Sequence, residues 1–366
     1  MDTNMQNTPR ITKESKNKIR VEFERTPLKE RLKAKFLNLY FFQQVAWIIF
    51  RLVLLVGISY VVLFPFISKI AGSFMSPEDF VDVTVRLIPK NFTLDIYKAV
   101  LFELDYWEAF RNTFIISFIG ALCQTFICCL IGYGLAKFRF KGNTLIMMLV
   151  ILTMIVPHQT LQLSMFMGFR YFDVLGILSF LSGGASVGFL PESFNELLAG
   201  IQIIDLPDHG LPLTNTYAPL IILSLTGLAF KNGLYIFMLR QFFTGVPDAL
   251  EESAYIDGSG VFHTFFTIIL PLSIPMMVTV FLFAFCWQWT DDFYTELFFT
   301  TSKITLMPDV VEIPTSLKTD YAGQNMYYTA IRNTCGLCII MPLVVLYCFG
   351  QNFLVQGIER SGLTAE

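Results

Sequence analysis

The chain has 366 residues, of which 54% are hydrophobic and only 15% are charged, and its formal net charge is −3. One aqueous core cannot hide so much apolar surface, so the composition excludes an ordinary soluble domain and indicates a membrane protein. Nothing in this charge balance suggests a nucleic-acid partner.

The first 44 residues form a basic tail. They include ten Lys or Arg and five acidic residues, and no apolar run precedes the first long apolar segment. A signal peptide would need such a run and a cleavage site of small residues. We therefore expect residues 1–44 to be a cytoplasmic tail.

Six windows are apolar over roughly 20 residues, which as helix is enough to cross about 30 Å of hydrocarbon. They lie near 45–67, 112–136, 144–168, 217–239, 271–290 and 328–350. The sequence therefore predicts an all-α polytopic membrane protein with six transmembrane helices. Pro157 interrupts the hydrogen-bond ladder of the third window, where we expect a kink.

These windows divide the chain into parts. Residues 45–107 would hold the first transmembrane helix and an outer loop, and residues 108–355 the main transmembrane domain. Within that domain, glycines and prolines break up the segment 177–213, which we interpret as an extracytoplasmic insertion. Residues 356–366 would form a cytoplasmic C-terminal tail.

Charge asymmetry orients the spans. With the N-terminus inside, Lys137, Arg139 and Lys141 fall on the cytoplasmic side and the acidic segment 169–216 lies outside, as the positive-inside rule requires. The loop 241–270 would also be cytoplasmic although it contains no Lys or Arg. Its placement depends on the number of spans and on the motif it carries.

The seven cysteines all lie in apolar windows, and no histidine is positioned to complete a metal site with them. We interpret them as packing residues.

A polar stretch between the fourth and fifth windows has the features of two short helices joined by a turn. Pro247 presets the backbone for a helix start, and Asp248 places negative charge at its first turn. Gly258 and Gly260 then permit a reversal of the chain. We expect a rigid helical knob on the cytoplasmic side.

This stretch resembles the EAA loop of binding-protein-dependent ABC import permeases, Glu-x-Ala-x-x-x-Gly followed after nine residues by Ile-x-Leu-Pro. The resemblance implies an interface with an ATPase. An ordinary capped loop is the alternative, but the complete spacing favours the family. The positions concerned, including a Ser where the family prefers Ala and the Asp of an Asp-Gly pair common in the sugar subfamily, are Glu252, Ser253, Ala254, Asp257, Gly258, Ile268, Leu270 and Pro271.

Further segments resemble carbohydrate permeases of the maltose-transporter type. They are Phe110-Arg-Asn-Thr113, the stretch from Gly132 to Gly142, Trp287-Gln-Trp-Thr-Asp-Asp292, and the tail from Val355 to Gly362. Together these segments cover most of residues 85–362. Within that group the chain is similar to the smaller, six-span subunit, which pairs with a different permease.

The resemblance implies an importer of carbohydrates in the bacterial cell membrane. Its partners would be a second permease subunit, two cytoplasmic ATPase subunits and an extracytoplasmic solute-binding protein. This chain would be no enzyme and would bind no cofactor, because ATP and Mg²⁺ belong to the ATPases. In agreement, it contains no Gly-x-x-x-x-Gly-Lys-Ser/Thr loop to hold phosphates.

Polar and aromatic residues at membrane depth are the candidates for contact with a sugar. Two lie near the middle of the fourth window and the others near the outer end of the fifth. They are Lys231, Asn232, Trp287, Gln288, Trp289 and Asp291. His158 and Gln159, beside Pro157, form a weaker pair.

Each candidate has a structural alternative. A cation inside the membrane needs a partner or a water-filled path, so for Lys231 a structural salt bridge or a contact with the second permease is favoured over contact with the substrate. The tryptophans would equally fit an aromatic belt at the membrane surface. The resemblance also leaves open that the second permease holds the sugar.

Other functions fit the sequence less well. A permease of the same architecture for a peptide or phosphonate would share the loop. An ion-coupled secondary transporter would need inverted repeats with paired broken helices. An intramembrane enzyme would need a catalytic group such as His-Glu-x-x-His, which is absent from the sequence. Neither of the last two explains the complete loop motif.

Overall fold

The structure is a computed structural model that describes residues 39–173, 211–301, 304–321 and 323–362, together with two short strands near the N-terminus. The chain divides into two compact units, Met1–Ser68 and Lys69–Glu366. In the first unit the strands β1 (Thr12–Lys13) and β2 (Ile19–Arg20) pair in antiparallel orientation. The insertion expected at 177–213 lies outside the described residues except for its last three positions.

The rest of the described fold is helical. In chain order the α-helices are α1 (Leu39–Gly72), α2 (Asp95–Glu103), α3 (Tyr106–Lys137), α4 (Asn143–Ile155), α5 (Gln162–Arg170), α6 (Ala218–Thr226), α7 (Asn232–Thr244), α8 (Ala249–Ile256), α9 (Val261–Thr264), α10 (Leu270–Trp289), α11 (Phe293–Phe298) and α12 (Gln324–Gly362). Short 3₁₀ turns lie at Pro77–Phe80, His158–Leu161, Met307–Val310 and Thr315–Leu317, and a π-helical turn at Phe265–Ile269 joins α9 to α10.

Within the described ranges, four helical stretches are long and apolar enough to cross a membrane. They are Phe42–Gly72, Tyr106–Lys137, Val261–Trp289 and Gln324–Leu354. A fifth candidate is the bent pair Asn143–Ile155 and His158–Arg170. These stretches coincide with five of the six predicted windows, and the expectation of a helical, multi-pass membrane protein is confirmed.

The bend of that pair follows from Pro157. Proline has no backbone N–H and disfavours helical dihedrals in the residue before it, and Val156 is extended with φ −71° and ψ 119°. The two helices therefore meet at 95°. The kink expected at Pro157 is therefore a sharp corner between two separate helices.

The expectation of one continuous helix over 217–239 is wrong. Helix α6 ends at Thr226 and α7 begins at Asn232, so residues 227–231 form a break. Gly227 (φ +75°) and Lys231 (φ +66°) both adopt left-handed conformations, which cannot continue a right-handed helix. Hydropathy did not reveal the break because it reflects side chains and not backbone dihedral angles.

Pro271, at the start of the fifth predicted window, does not interrupt the helix. The helical stretch Val261–Trp289 passes through Pro271. A proline ring crowds the carbonyl four residues before it, here that of Thr267, and removes its hydrogen bond. The π-helical turn Phe265–Ile269 lies at this point, and such wider turns accommodate an interrupted ladder.

Helix α3 is the centre of the core of the second unit. It packs against α7 and α10, and α12 packs against α10. Small residues permit these close approaches: a Cβ at Gly132 would lie 2.9 Å from the Cβ of Leu239, and one at Gly233 would lie 2.6 Å from the Oγ1 of Thr153. Such glycine contacts are typical of helices packed in a membrane.

Candidate functional site

The polar loop folds as the sequence predicts, as a short helix, a turn and a second helix. The N–H groups of Glu251 and Glu252 both donate to the Asp248 carbonyl at 3.0 Å, which starts α8. At its end, the Ser259 N–H donates to the Ala254 carbonyl at 2.9 Å, a bond that closes the C-terminus of a helix. Gly258 has φ +85°, a conformation that favours glycine.

The motif residues separate into an exposed half and a packed half. Exposed positions are Glu252, Ser253, Asp257, Gly258 and Pro271, whereas Ala254 is buried and both Ile268 and Leu270 pack partly buried against the main core. A cavity of about 460 Å³ opens on this surface, lined by Ser253, Ala254, Asp257, Gly258, Ser259, His263, Thr267 and Ile268. The motif thus has one face available to another protein and one face attached to the helices.

Two large apolar side chains of this loop were not predicted as part of the site. Ile256 is 86% exposed and Phe262 is 81% exposed. Apolar side chains exposed side by side with polar ones are typical of protein interaction surfaces. Their positions, Ile256 beside Asp257 and Phe262 in the nine-residue spacer of the motif, were the available signal.

A buried lysine attaches the loop to α3. The Lys137 ammonium donates to the Val246 carbonyl and to Oδ1 of Asp248, each at 2.6 Å. The Lys137 side chain is only 5% exposed, whereas that of Asp248 is 68% exposed. Hydrogen bonding from Lys137 lowers the pKa of Asp248. This contact was not predictable from the sequence, because the two residues lie 111 positions apart.

A second site lies where the chain breaks between α6 and α7. A cavity of about 670 Å³ extends between this break and the corner at Pro157, and its lining includes His158, Gln159, Phe230, Lys231 and Asn232. The structure therefore brings together the candidates of the fourth window and the weaker pair beside Pro157.

Lys231 occupies the break and not the middle of a helix. Its Nζ lies 4.6 Å from the centre of the Phe230 ring and 4.9 Å from that of Trp287, both within the range of cation–π attraction. In the part of the chain that the structure describes, Lys231 forms no ion pair. The expected intramolecular salt bridge is therefore not found among these residues.

Asn232 carries an unsatisfied amide. The residue is 1% exposed, and neither its Oδ1 nor its Nδ2 has a hydrogen-bond partner. A buried polar group without a partner costs about 1–3 kcal/mol. Such a group at the edge of a cavity is a candidate for contact with a ligand.

A pair of glutamines supports the break from the opposite side. Gln124 on α3 donates from Nε2 to the Phe230 carbonyl at 3.3 Å, and Gln288 donates to Oε1 of Gln124 at 2.7 Å. The break leaves the Phe230 carbonyl outside any helical ladder, so Gln124 supplies its donor. Gln124 was missed by sequence reasoning, although a buried polar residue in an apolar span was an available signal.

The two tryptophans of the fifth window have different environments. Trp287 is 48% exposed, and its ring meets Phe230 edge to face with centroids 5.4 Å apart. Trp289 is fully buried, and its Nε1 donates to the Ile339 carbonyl at 2.9 Å. Trp287 therefore contacts Phe230 and Lys231 at the break, whereas Trp289 joins α10 to α12.

Asp291 lies beside a smaller cavity of about 40 Å³ that Trp287 and Gln288 also line. Its Oδ2 accepts a hydrogen bond from the Tyr294 N–H at 3.0 Å. Burial raises the pKa of this carboxyl to about 7. The Tyr294 hydroxyl shares a hydrogen bond of 3.1 Å with Nδ1 of His158, which connects this region to the corner at Pro157.

Most of the chain matches the sequence model of one known protein family. The sequence model of the family described as "Binding-protein-dependent transport system inner membrane component" matches residues 129–360. The match includes the corner, the break, the loop and most of α12.

Two relatives match this chain over most of their own length. The inner membrane ABC transporter permease protein YcjP of Escherichia coli (strain K12) is 23% identical, over 83% of this chain and 91% of its own. The polygalacturonan/rhamnogalacturonan transport system permease protein YtcP of Bacillus subtilis (strain 168) is 25% identical, over 80% and 89%.

A solved structure has a similar fold. It is that of a bacterial ABC transporter involved in the import of the acidic polysaccharide alginate, with a TM-score of 0.57 and 18% identity over 85% of this chain and 97% of the other. At this identity the likeness concerns the fold alone.

Proposed function

Because the chain belongs to the family of binding-protein-dependent transport system inner membrane components, we propose that it is the permease subunit of an ATP-driven ABC importer for sugars or oligosaccharides. The observation that carries this proposal is the two-sided loop. Its exposed face holds Glu252, Ser253 and Gly258, and its packed face holds Ile268 and Leu270.

The relatives support a saccharide as the substrate. The Bacillus relative is named for polygalacturonan and rhamnogalacturonan, and the structural neighbour takes part in alginate import. The runner-up is a non-sugar solute carried by the same architecture, since the name of the E. coli relative specifies no substrate. The ring surfaces of Phe230 and Trp287 beside the cavity favour sugar, because aromatic faces suit sugar rings.

The proposed assembly contains a second permease, two cytoplasmic ATPase subunits and an extracytoplasmic solute-binding protein. ATP and Mg²⁺ act in the ATPases, and this chain binds no cofactor. The exposed face of the loop, with the apolar Ile256 and Phe262, inserts into an ATPase. Closure of the ATPases then shifts the permease between inward- and outward-facing states, and each ligand acts by its different affinity for the two states.

The proposed topology has six spans, with both termini in the cytoplasm. Helices α6 and α7 cross the membrane together, and the break at 227–231 lies within the bilayer where it borders a cavity. Residues 1–44 and 356–366 are cytoplasmic tails, and the insertion 177–213 is extracytoplasmic. The domain 108–355 then contains every element of the transport path.

The substrate path runs along the cavity at the break. Lys231 and Asn232 border it, and Gln288 and Asp291 line the smaller cavity with Trp287, whose ring contacts the Lys231 ammonium. Trp289 supports the path from the core through its bond to α12.

Cysteine cross-linking tests the coupling role of the loop. In a Cys348→Ser background, which removes the exposed one of the seven cysteines, Ser253→Cys should cross-link to an ATPase subunit of the assembled complex with a short bifunctional reagent. The matched control is Val83→Cys, which is 91% exposed in the segment after α1 and should not cross-link. Cross-linking of Val83 and not of Ser253 would reject the proposed coupling face.

A further inference from the structure

The cavity at the break has one formal positive charge and no carboxylate. Its lining residues include Lys231, His158, Gln159, Thr153 and Asn232, and none of the lining residues is Asp or Glu. The Lys231 ammonium lies against two aromatic rings, which leave its hydrogen-bonding capacity free. A lysine has three N–H donors, and rings satisfy none of them as an anion would.

The backbone at Lys231 adds to this argument. Asp105, Asn215 and Lys231 are the non-glycine residues with positive φ in the described ranges. Asp and Asn tolerate the left-handed region because their short side chains bond locally, whereas Lys has no such advantage. A glycine would adopt φ +66° without strain, so the site keeps a strained backbone together with a cationic side chain. Strain of this kind is typical of ligand sites.

A second, independent feature lies at the next residue. Asn232 borders the same cavity, is 1% exposed and has no partner for either polar atom of its amide. An amide presents two N–H donors and one acceptor. A ligand with oxygen acceptors would satisfy the donors and remove the penalty of the unpaired group.

We propose that this cavity binds an acidic saccharide, whose carboxylate pairs with Lys231 and accepts from Asn232 while its ring lies against Phe230 or Trp287. The proposal rests on the function proposed above and names the substrate class of that site. A neutral sugar would use the rings and the amide but would leave the cation without an anion. A carboxylate from the second permease would pair with Lys231 without any ligand, and that arrangement is an outcome of the test below.

The test uses the assembled complex of both permeases and the ATPases, purified in detergent without the solute-binding protein. The complex is titrated with trigalacturonate and with neutral galactotriose, which have similar size but different charge. Binding is followed by Trp fluorescence, since Trp287 lies at the site, and by the melting temperature of the complex. Omitting the solute-binding protein ensures that its own selectivity does not determine the result.

Three variants of Lys231 separate charge from structure. We expect wild type to bind trigalacturonate at least tenfold more tightly than galactotriose, and Lys231→Met to reduce the affinity for the acid to that for the neutral sugar. Lys231→Arg should keep most of the preference. Lys231→Gly should lose the preference without lowering the melting temperature of the ligand-free complex, because glycine relieves the backbone. The matched control Lys98→Met, at a lysine 69% exposed on α2, should leave binding unchanged.

Other results would overturn the proposal. Equal affinity of wild type for the two sugars, or no binding of trigalacturonate, would reject an acidic substrate. A lower melting temperature of the ligand-free complex in both Lys231→Met and Lys231→Gly would show that Lys231 pairs with a protein carboxylate. ATP-driven saccharide uptake in proteoliposomes with the solute-binding protein separates the two proposals: saccharide uptake by a complex that binds both sugars equally rejects only the substrate class, and no saccharide uptake rejects the proposed function.

Discussion

Gly258 in the loop and Lys231 in the helix break both have a left-handed backbone conformation, but only one of them is a glycine. A Cβ at Gly258 would meet no atom within 4 Å, so glycine is needed there for its dihedral angle and not for space. Lys231 keeps a long cationic side chain between two rings despite its φ of +66°. At Gly258 the backbone conformation therefore determines the residue, whereas at Lys231 a cationic side chain is kept despite the strained backbone.

The largest effect is expected from a substitution at Gly258. We expect Gly258→Asp to assemble in the membrane but to reduce ATP-driven uptake to background, because the side chain strains the turn and blocks the docking face. The matched control is Gly260→Asp, where φ is −81° and a Cβ also meets nothing within 4 Å. Asp is favoured at this N-cap position, so that variant should retain uptake. Normal uptake by Gly258→Asp at normal expression would contradict the coupling role.

The support of the break is tested next, at Gln124. Gln124→Leu removes the donor to the Phe230 carbonyl and the acceptor for Gln288, and it should destabilise the complex by about 1–3 kcal/mol. The measurement is the melting temperature of the purified complex. Gln159→Leu, at an exposed glutamine that lines the cavity at the break, should leave the melting temperature unchanged. Equal stability of both variants would mean that the break does not depend on Gln124.

The attachment of the loop is tested at Lys137 and Asp248. Lys137→Met removes the donor to both the Val246 carbonyl and Asp248, so we expect ATP hydrolysis to continue while uptake per ATP falls about tenfold, which corresponds to about 1.4 kcal/mol of lost coupling. Asp248→Asn removes only a partly solvated ion pair, which solvent weakens, and should have the smaller effect. A larger loss in Asp248→Asn would assign the attachment to the ion pair instead.

The last prediction concerns pH and Asp291. Its pKa is raised from 3.8 to about 7, so the folded state holds a proton that the unfolded state has released, and stability should fall as pH rises from about 4 to 7. Burial raises this pKa, and the backbone N–H of Tyr294, which donates to the ionised form, offsets part of the rise. The melting temperature of Asp291→Asn should lack this component. An identical pH profile in the variant would show that Asp291 stays ionised throughout.

A structural feature is predictable from the sequence when the residues that determine it lie close together in the chain. The loop was predicted because its capping residues and glycines act within a few positions, and the corner was predicted because Pro157 acts on Val156. The break was not, because a left-handed lysine has no sequence signature and its support comes from Gln124, 106 positions away from Phe230. Whether the broken segment completes a sixth span stays a prediction.

The tryptophan pair shows a second limit. Trp287 and Trp289 were grouped as substrate candidates because both lie near the outer end of the fifth window. Two residues of helix turn through about 200°, so the side chains point to nearly opposite faces of α10. Trp287 therefore contacts Phe230 and Lys231 at the break and Trp289 enters the core, a difference that depends on the rotation of α10 relative to its neighbours.

Helix α3 connects the loop to the helix break. It carries Lys137 at the loop and Gln124 at the break, about 20 Å apart along the axis at 1.5 Å per residue. Gly132 lies between them in close contact with Leu239, about 8 Å from Lys137 and about 12 Å from Gln124 along the axis. If the helix pivots at that contact, a movement of the loop returns at the break in the opposite direction and about one and a half times larger. With a pivot there, the position of Gly132 along α3 would set the ratio between the movement of the loop and that of the break.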